Sequence, residues 1–155
     1  MDIVGDRGEA LFRVAITKWC GGNPRFEVVF QGEKAEALDF EVRLRDSTVF
    51  QAVFYVQVKA TAKKVRYSGT GKSRRLLVRL KLNDAKKLGR MKVPAFVVGI
   101  DVLSGACYLM HIPAGAKRGF ASMSTRQPLN CRAIKKLWTK IEEFWKSRPQ
   151  GMTSF

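Results

Sequence analysis

At 155 residues the chain has the size of one folding unit, and with 46% apolar residues and interspersed charges it can bury a core, which excludes a disordered tail-like protein. No apolar run approaches the roughly 18–20 residues that cross a bilayer, so a membrane-spanning helix is excluded. Lys and Arg number 29 against 13 Asp and Glu, a formal net charge of +16, and an excess of that size on a small domain favours a polyanionic partner, nucleic acid ahead of lipid headgroups.

In chain order, residues 6–19 read as a helix, because Leu11, Phe12, Ala15, Ile16 and Trp19 recur at three- and four-residue steps. Asp6 suits its N-cap with Glu9 as the capping-box partner, and Gly21-Gly22-Asn23-Pro24 ends it. Residues 26–30 form a first strand. Residues 38–45 form a second, with Asp39, Glu41, Arg43 and Arg45 on its polar face. Asp46-Ser47 is a turn signal, and residues 50–60 pair back as an antiparallel strand. In that strand Phe54, Val56 and Val58 share one face, and Tyr55, Gln57 and Lys59 the other.

Residues 61–75 are a basic, Gly/Ser-rich loop, and 76–82 a further strand. Asn83 suits the cap of a short helix that Gly89 stops. Residues 94–102 and 106–112 read as two strands around Leu103-Ser104-Gly105, and 113–128 as a loop. Residues 130–146 form the last helix, with Ile134, Leu137, Trp138, Ile141, Phe144 and Trp145 in one apolar stripe, a core pattern rather than a base-stacking one. The expected architecture is α/β, a central mixed sheet flanked by helices in the order α-β-β-β-β-α-β-β-α, with residues 1–148 as a single domain and 149–155 as a flexible tail.

Three cysteines, Cys20, Cys107 and Cys131, lie far apart without CxxC spacing, which reads as inert thiols in a reducing compartment. The acidic start Asp2…Asp6 is unlike a signal peptide, so a cytoplasmic protein is expected. His111 is the single histidine and sits in an apolar run, where an edge or satisfied role outweighs a catalytic one. Residues 66–73 end like a P-loop, but Arg66 stands where a glycine is needed and a strand follows where a helix should. No nucleotide cofactor is expected.

The hairpin of residues 38–60 carries the chemistry. Asp39 lies about as far before the turn as Gln57 lies after it, so the two ends meet. A carboxylate, an amide oxygen and an ammonium can then surround one point, and Mg²⁺ takes one or two carboxylates while keeping several waters. Glu41, on the same face as Asp39, can add charge there. Asp39 followed by Gln57-Val58-Lys59 resembles the D…(D/E)xK core of the PD-(D/E)XK nuclease superfamily, the restriction-endonuclease-like fold. Gly8-Glu9-Ala10-Leu11-Phe12 matches the helix that supplies a glutamate in many members. The closer likeness is to a bacterial and archaeal branch with a D…QVK core, in which a stretch similar to Val93…Asp101 and a strand like Cys107-Tyr108-Leu109 follow.

The resemblance implies hydrolysis of phosphodiester bonds with Mg²⁺ or Mn²⁺, on DNA before RNA, and a homodimer, since many proteins of the fold dimerise. It implies Asp39 as a metal ligand, the Gln57 amide oxygen and Val58 carbonyl as further ligands, Lys59 as the catalytic lysine, and Glu9 as a group that binds metal through water or positions Lys59. Gln57 departs from the usual carboxylate, and Leu38 stands where a proline is usual. The basic cluster Lys63, Lys64, Arg66, Lys72, Arg74 and Arg75 follows directly and suits contact with a nucleic-acid backbone.

Overall fold

The computed structural model describes residues 2–30 and 38–148, so the expected tail lies outside the described residues. Helix α1 (Ile3–Ile16) is capped by Asp2, whose carboxylate accepts from Gly5 N–H at 3.0 Å. The cap expected at Asp6 is therefore one turn too late. Asp6 sits in the first turn, where its charge suits the helix dipole. The helix stops at Thr17, and Trp19, expected on its apolar face, is exposed beyond its end.

Strands β1 (Phe26–Phe30), β2 (Phe40–Leu44), β3 (Val53–Thr61), β6 (Ala95–Asp101) and β7 (Cys107–Ile112) form one sheet in the order β1-β2-β3-β6-β7. All neighbours are antiparallel except β3 and β6, which run parallel. The expected mixed sheet flanked by helices is observed. Three very short strands, β4 (Tyr67–Ser68), β5 (Arg75–Leu76) and β8 (Met123–Ser124), make a second sheet that was not expected. The strand expected over residues 76–82 shrinks to β5 and an isolated bridge from Leu80 to Phe120. Helix α2 (Leu82–Gly89) starts at Lys81 rather than at an Asn83 cap, and the basic loop 61–75 contains β4 and a 3-10 turn at Gly71–Ser73.

The sheet is covered on both faces. Phe12, Ile16, Phe40, Val42, Phe54, Val56, Val98 and Ile100 join Ile134, Leu137 and Ile141 of α3 (Cys131–Lys146) in one core. Leu76, Val78, Leu80, Leu88, Val97, Tyr108 and Met123 form a second core on the opposite face. Gly8 lets α1 lie directly on β3, since a Cβ there would fall 2.5 Å from that of Ala60. Trp138 and Trp145 belong to the packing, as read from the stripe. Their indole N–H groups donate to the carbonyls of Arg45 and Val53 and dock α3 on the β2–β3 hairpin. His111 lies on β7 against the Phe96 ring, at the edge as expected.

Cys20 and Cys131 overturn the reading of three inert thiols. The chain brings them together as a disulfide, with Cα atoms 5.4 Å apart, tying the loop after α1 to the start of α3. Sequence spacing hides such a pair because 111 residues separate them. Cys107 keeps the inert reading, since burial pushes its thiol up to about 11.

At the end of β6, Asp101 is buried and accepts from Arg66 Nε (2.6 Å), Tyr67 OH (2.8 Å) and the N–H of Leu103 (3.0 Å). Burial alone would raise its carboxyl, but hydrogen bonds from Ser104, Tyr67 and Arg66 outweigh it and hold the group at about 2. This knot fastens the small sheet to the large one. Removing Arg66 leaves a buried carboxylate short of its counter-charge, so Arg66→Ala is expected to destabilise the fold by about 3 kcal/mol in chemical denaturation. An exposed Lys64→Ala is expected to change stability by less than about 0.5 kcal/mol.

Candidate functional site

Asp39 sits one residue before β2, where that strand begins to pair with β3. Phe40 lies opposite Val56, and the Asp39 N–H donates to the Val56 carbonyl at 3.0 Å. The Asp39 side chain turns back onto β3, and its Oδ2 accepts from Val58 N–H at 2.7 Å. A carboxylate thus completes the ladder where main-chain pairing ends, beside the strand that carries Gln57 and Lys59.

The alternation of β3 aims its side chains at two different layers. Val56 packs in the core under α1, with Val58 and Ala60 against it. Gln57 and Lys59 point to the other face, toward α2. Gln57 is only 8% exposed, and its Oε1 has no hydrogen-bond partner. A buried acceptor left unpaired costs on the order of 1–3 kcal/mol, so the oxygen wants a donor or a cation. Lys59 Nζ lies 4.0 Å from Asp84 Oδ2 on α2. Asp84 was missed in the sequence, where Asn83-Asp84 reads as an ordinary helix start.

Burial raises the Asp39 carboxyl above its usual range, the Val58 hydrogen bond and the Lys59 charge pull it down, and the Asp84 charge pushes it up. Glu9 is raised as well, first by burial and then by the charge of Asp39. The two acids therefore sense each other, but α1 covers the face of β3 away from Lys59, and Glu9 approaches Asp39 from that side. A shallow cleft of ≈ 290 Å³, lined by Asp6, Glu9, Ala10, Arg13, Phe30 and Phe40, opens beside it. Another, of ≈ 300 Å³ around Arg25, Arg45 and Trp138, lies at the far end of β2 and has no part in this constellation.

Glu41 does not turn to the site. Its Oε2 is paired with Arg43 Nε at 2.7 Å. Among the described residues no three His, Cys, Asp or Glu side chains gather as a metal cluster. What Asp39 and β3 offer a hard cation is one carboxylate and an orphaned amide oxygen, with a lysine alongside. That set fits Mg²⁺, which accepts few protein ligands and retains water.

The basic cluster divides into two kinds. All of its residues but Arg66 are exposed, and what sets the arginines apart from Lys63, Lys64 and Lys72 is the side-chain partners they hold within the fold. Arg66 is engaged by Asp101, and Arg74 lies 4.3 Å over the Tyr67 ring with a hydrogen bond to Tyr108 OH. Arg75 is held by the hydroxyl and carbonyl of Ser122. Residues 66–73 form no P-loop, since no helix of the required length follows them directly.

No family model and no curated protein matches the chain. Among solved structures it is similar to a bacterial homing endonuclease, I-Ssp6803I, over 99% of this chain and 98% of that one, at 15% identity and a TM-score of 0.45. No helix among the described residues is long and apolar enough to cross a membrane.

The raised Asp39 carboxyl has a signed consequence for stability. A carboxyl raised on folding favours the protonated fold. Its contribution is fully present below the ordinary value of 3.8 and is lost as pH rises through the higher folded value. Asp39→Asn keeps an acceptor for Val58 and removes the buried charge. Without divalent cation it is expected to melt above the wild type at pH 7, with a gap that narrows toward pH 4. Thermal melts across that range check this, and a lower Tm for the variant at pH 7 contradicts it.

Proposed function

We propose that this protein is a metal-dependent nuclease that hydrolyses phosphodiester bonds of nucleic acid, with DNA as the first polymer to test. The single observation that carries the reading is the buried, unpartnered Oε1 of Gln57 beside Asp39 and Lys59, on the strand that bears the QVK motif. The net charge of +16 supports a polyanionic substrate.

In this reading Asp39, Gln57 and the Val58 carbonyl hold Mg²⁺ or Mn²⁺, and Glu9 acts from the α1 side through water. A bound cation would supply Lewis-acid charge to the phosphoryl oxygens. Lys59 orients the attacking water and steadies charge that develops on the phosphate. Asp39, fixed by Val58 N–H, presents its ligand oxygen without reorganising. Lys63, Lys64 and Lys72 hold the backbone without reading bases, and Arg66, Arg74 and Arg75 shape the loop that carries them. The PD-(D/E)XK resemblance further suggests a homodimer and a role in restriction, defence or junction processing.

A second reading, a nucleic-acid-binding module that does not cut, is favoured by the neutral Gln57. One assay separates the two. Plasmid, single-stranded DNA and RNA are incubated with the protein in Mg²⁺, Mn²⁺ or chelator. Cleavage that requires metal and falls by on the order of 10²-fold or more in Lys59→Ala and Asp39→Ala, with binding retained, is the expected outcome. Binding without any metal-dependent product contradicts the nuclease reading and leaves the module.

The lysines have their own readout. Replacing Lys63, Lys64 and Lys72 by Ala is expected to weaken binding across all sequences. The slope of log K against log salt should flatten by roughly 0.9 for each duplex phosphate that is no longer neutralised. An unchanged slope removes these lysines from the interface.

A further inference from the structure

Helix α2 buries Ala85 and Leu88 in the second core, and this holds Asp84, in its first turn, over the face of β3 that carries Gln57 and Lys59. The Asp84 side chain is itself largely covered, and its Oδ2 stands 4.0 Å from Lys59 Nζ, at the outer limit of an ion pair. Asp39, opposite Gln57 by the register that pairs Phe40 with Val56, and Asp84, beside Lys59, thus flank the β3 residues of the face on which the Gln57 oxygen is orphaned. Glu41 is engaged by Arg43, and Glu9 comes to Asp39 from α1, on the opposite face of β3 from Lys59. Asp84 is the acid left on this side.

We propose that Asp84 supplies the second carboxylate of the metal centre, the charge that Gln57 does not bring. The inference rests on the nuclease reading for the cation itself. Mg²⁺ is usually held by one or two carboxylates, and a second one adds the charge that a site of one carboxylate and neutral oxygens lacks. In the metal-free protein the Lys59 ammonium offsets the like charges of Asp39 and Asp84. With a cation present their repulsion becomes shared attraction, and the ammonium is released toward substrate. This places the second acid on a helix rather than two residues before the lysine.

Mn²⁺ binding to the full chain, measured by titration calorimetry without nucleic acid, tests the assignment. Asp84→Asn and Asp84→Ser are each expected to weaken Mn²⁺ on the order of tenfold or more, with folding checked by thermal melts. Moving the acid to the usual place, in the double variant Gln57→Glu with Asp84→Asn, is expected to restore most of the affinity. If wild type binds Mn²⁺, Asp39→Asn loses it and both Asp84 variants bind like wild type, Asp84 only braces Lys59 and this inference fails while the nuclease reading stands. A failure of Gln57→Glu to rescue a folded Asp84→Asn also overturns it. If wild type shows no saturable Mn²⁺ binding, the metal reading and this inference fail together.

Discussion

A hydrogen bond between a peptide N–H and a carboxylate governs the candidate site. Val58 N–H is donated to Asp39 where β2 parts from β3. Without it Asp39 would be a loop residue with many rotamers. With it, the carboxylate is pinned beside the two β3 residues that flank Val58. Burial of the charge works against stability, and the hydrogen bond and the nearby lysine only partly offset it. A carboxyl held where its charge is costly is what preorganised electrostatics requires, and such groups cluster at functional sites.

β3 divides the constellation. Its even-numbered residues anchor α1 through the close approach at Gly8, and Lys59, on the opposite face, meets Asp84 of α2. Both helices are docked by apolar packing, so the acids they carry inherit the precision of a core. The positive charges are sorted in a similar way. Arg66 and Arg74 knit the small sheet to Asp101, Tyr67 and Tyr108, so a raw excess of cations overstates the number available to a polyanion.

β2 and the last helix were legible because their burial is periodic, and β6, buried along its whole length, because its apolar run is nearly unbroken. The alternation in residues 38–45 and 50–60 put Asp39 on the same face as Gln57 and Lys59, and the register Phe40 to Val56 agrees. Their ends were less legible. Loss of pairing after Leu44 opens a wider connection, with Asp46 and Gln51 in the left-handed region, than a tight turn at Asp46-Ser47 requires. The second sheet left almost no pattern, since two-residue strands have no period. Asp84 and the Cys20–Cys131 pair were invisible for another reason. Each acquires meaning only from a partner that the chain brings near by folding.

The bridge between Cys20 and Cys131 makes most of the polypeptide a covalent ring. Asp39, Gln57, Lys59 and Asp84 all lie inside it, and α1 and α3 hang from it as two arms. A protease that nicks the exposed basic loop around Lys63 and Lys64 would open the ring without releasing a fragment. The severed halves would remain one molecule until a reductant parted the sulfurs.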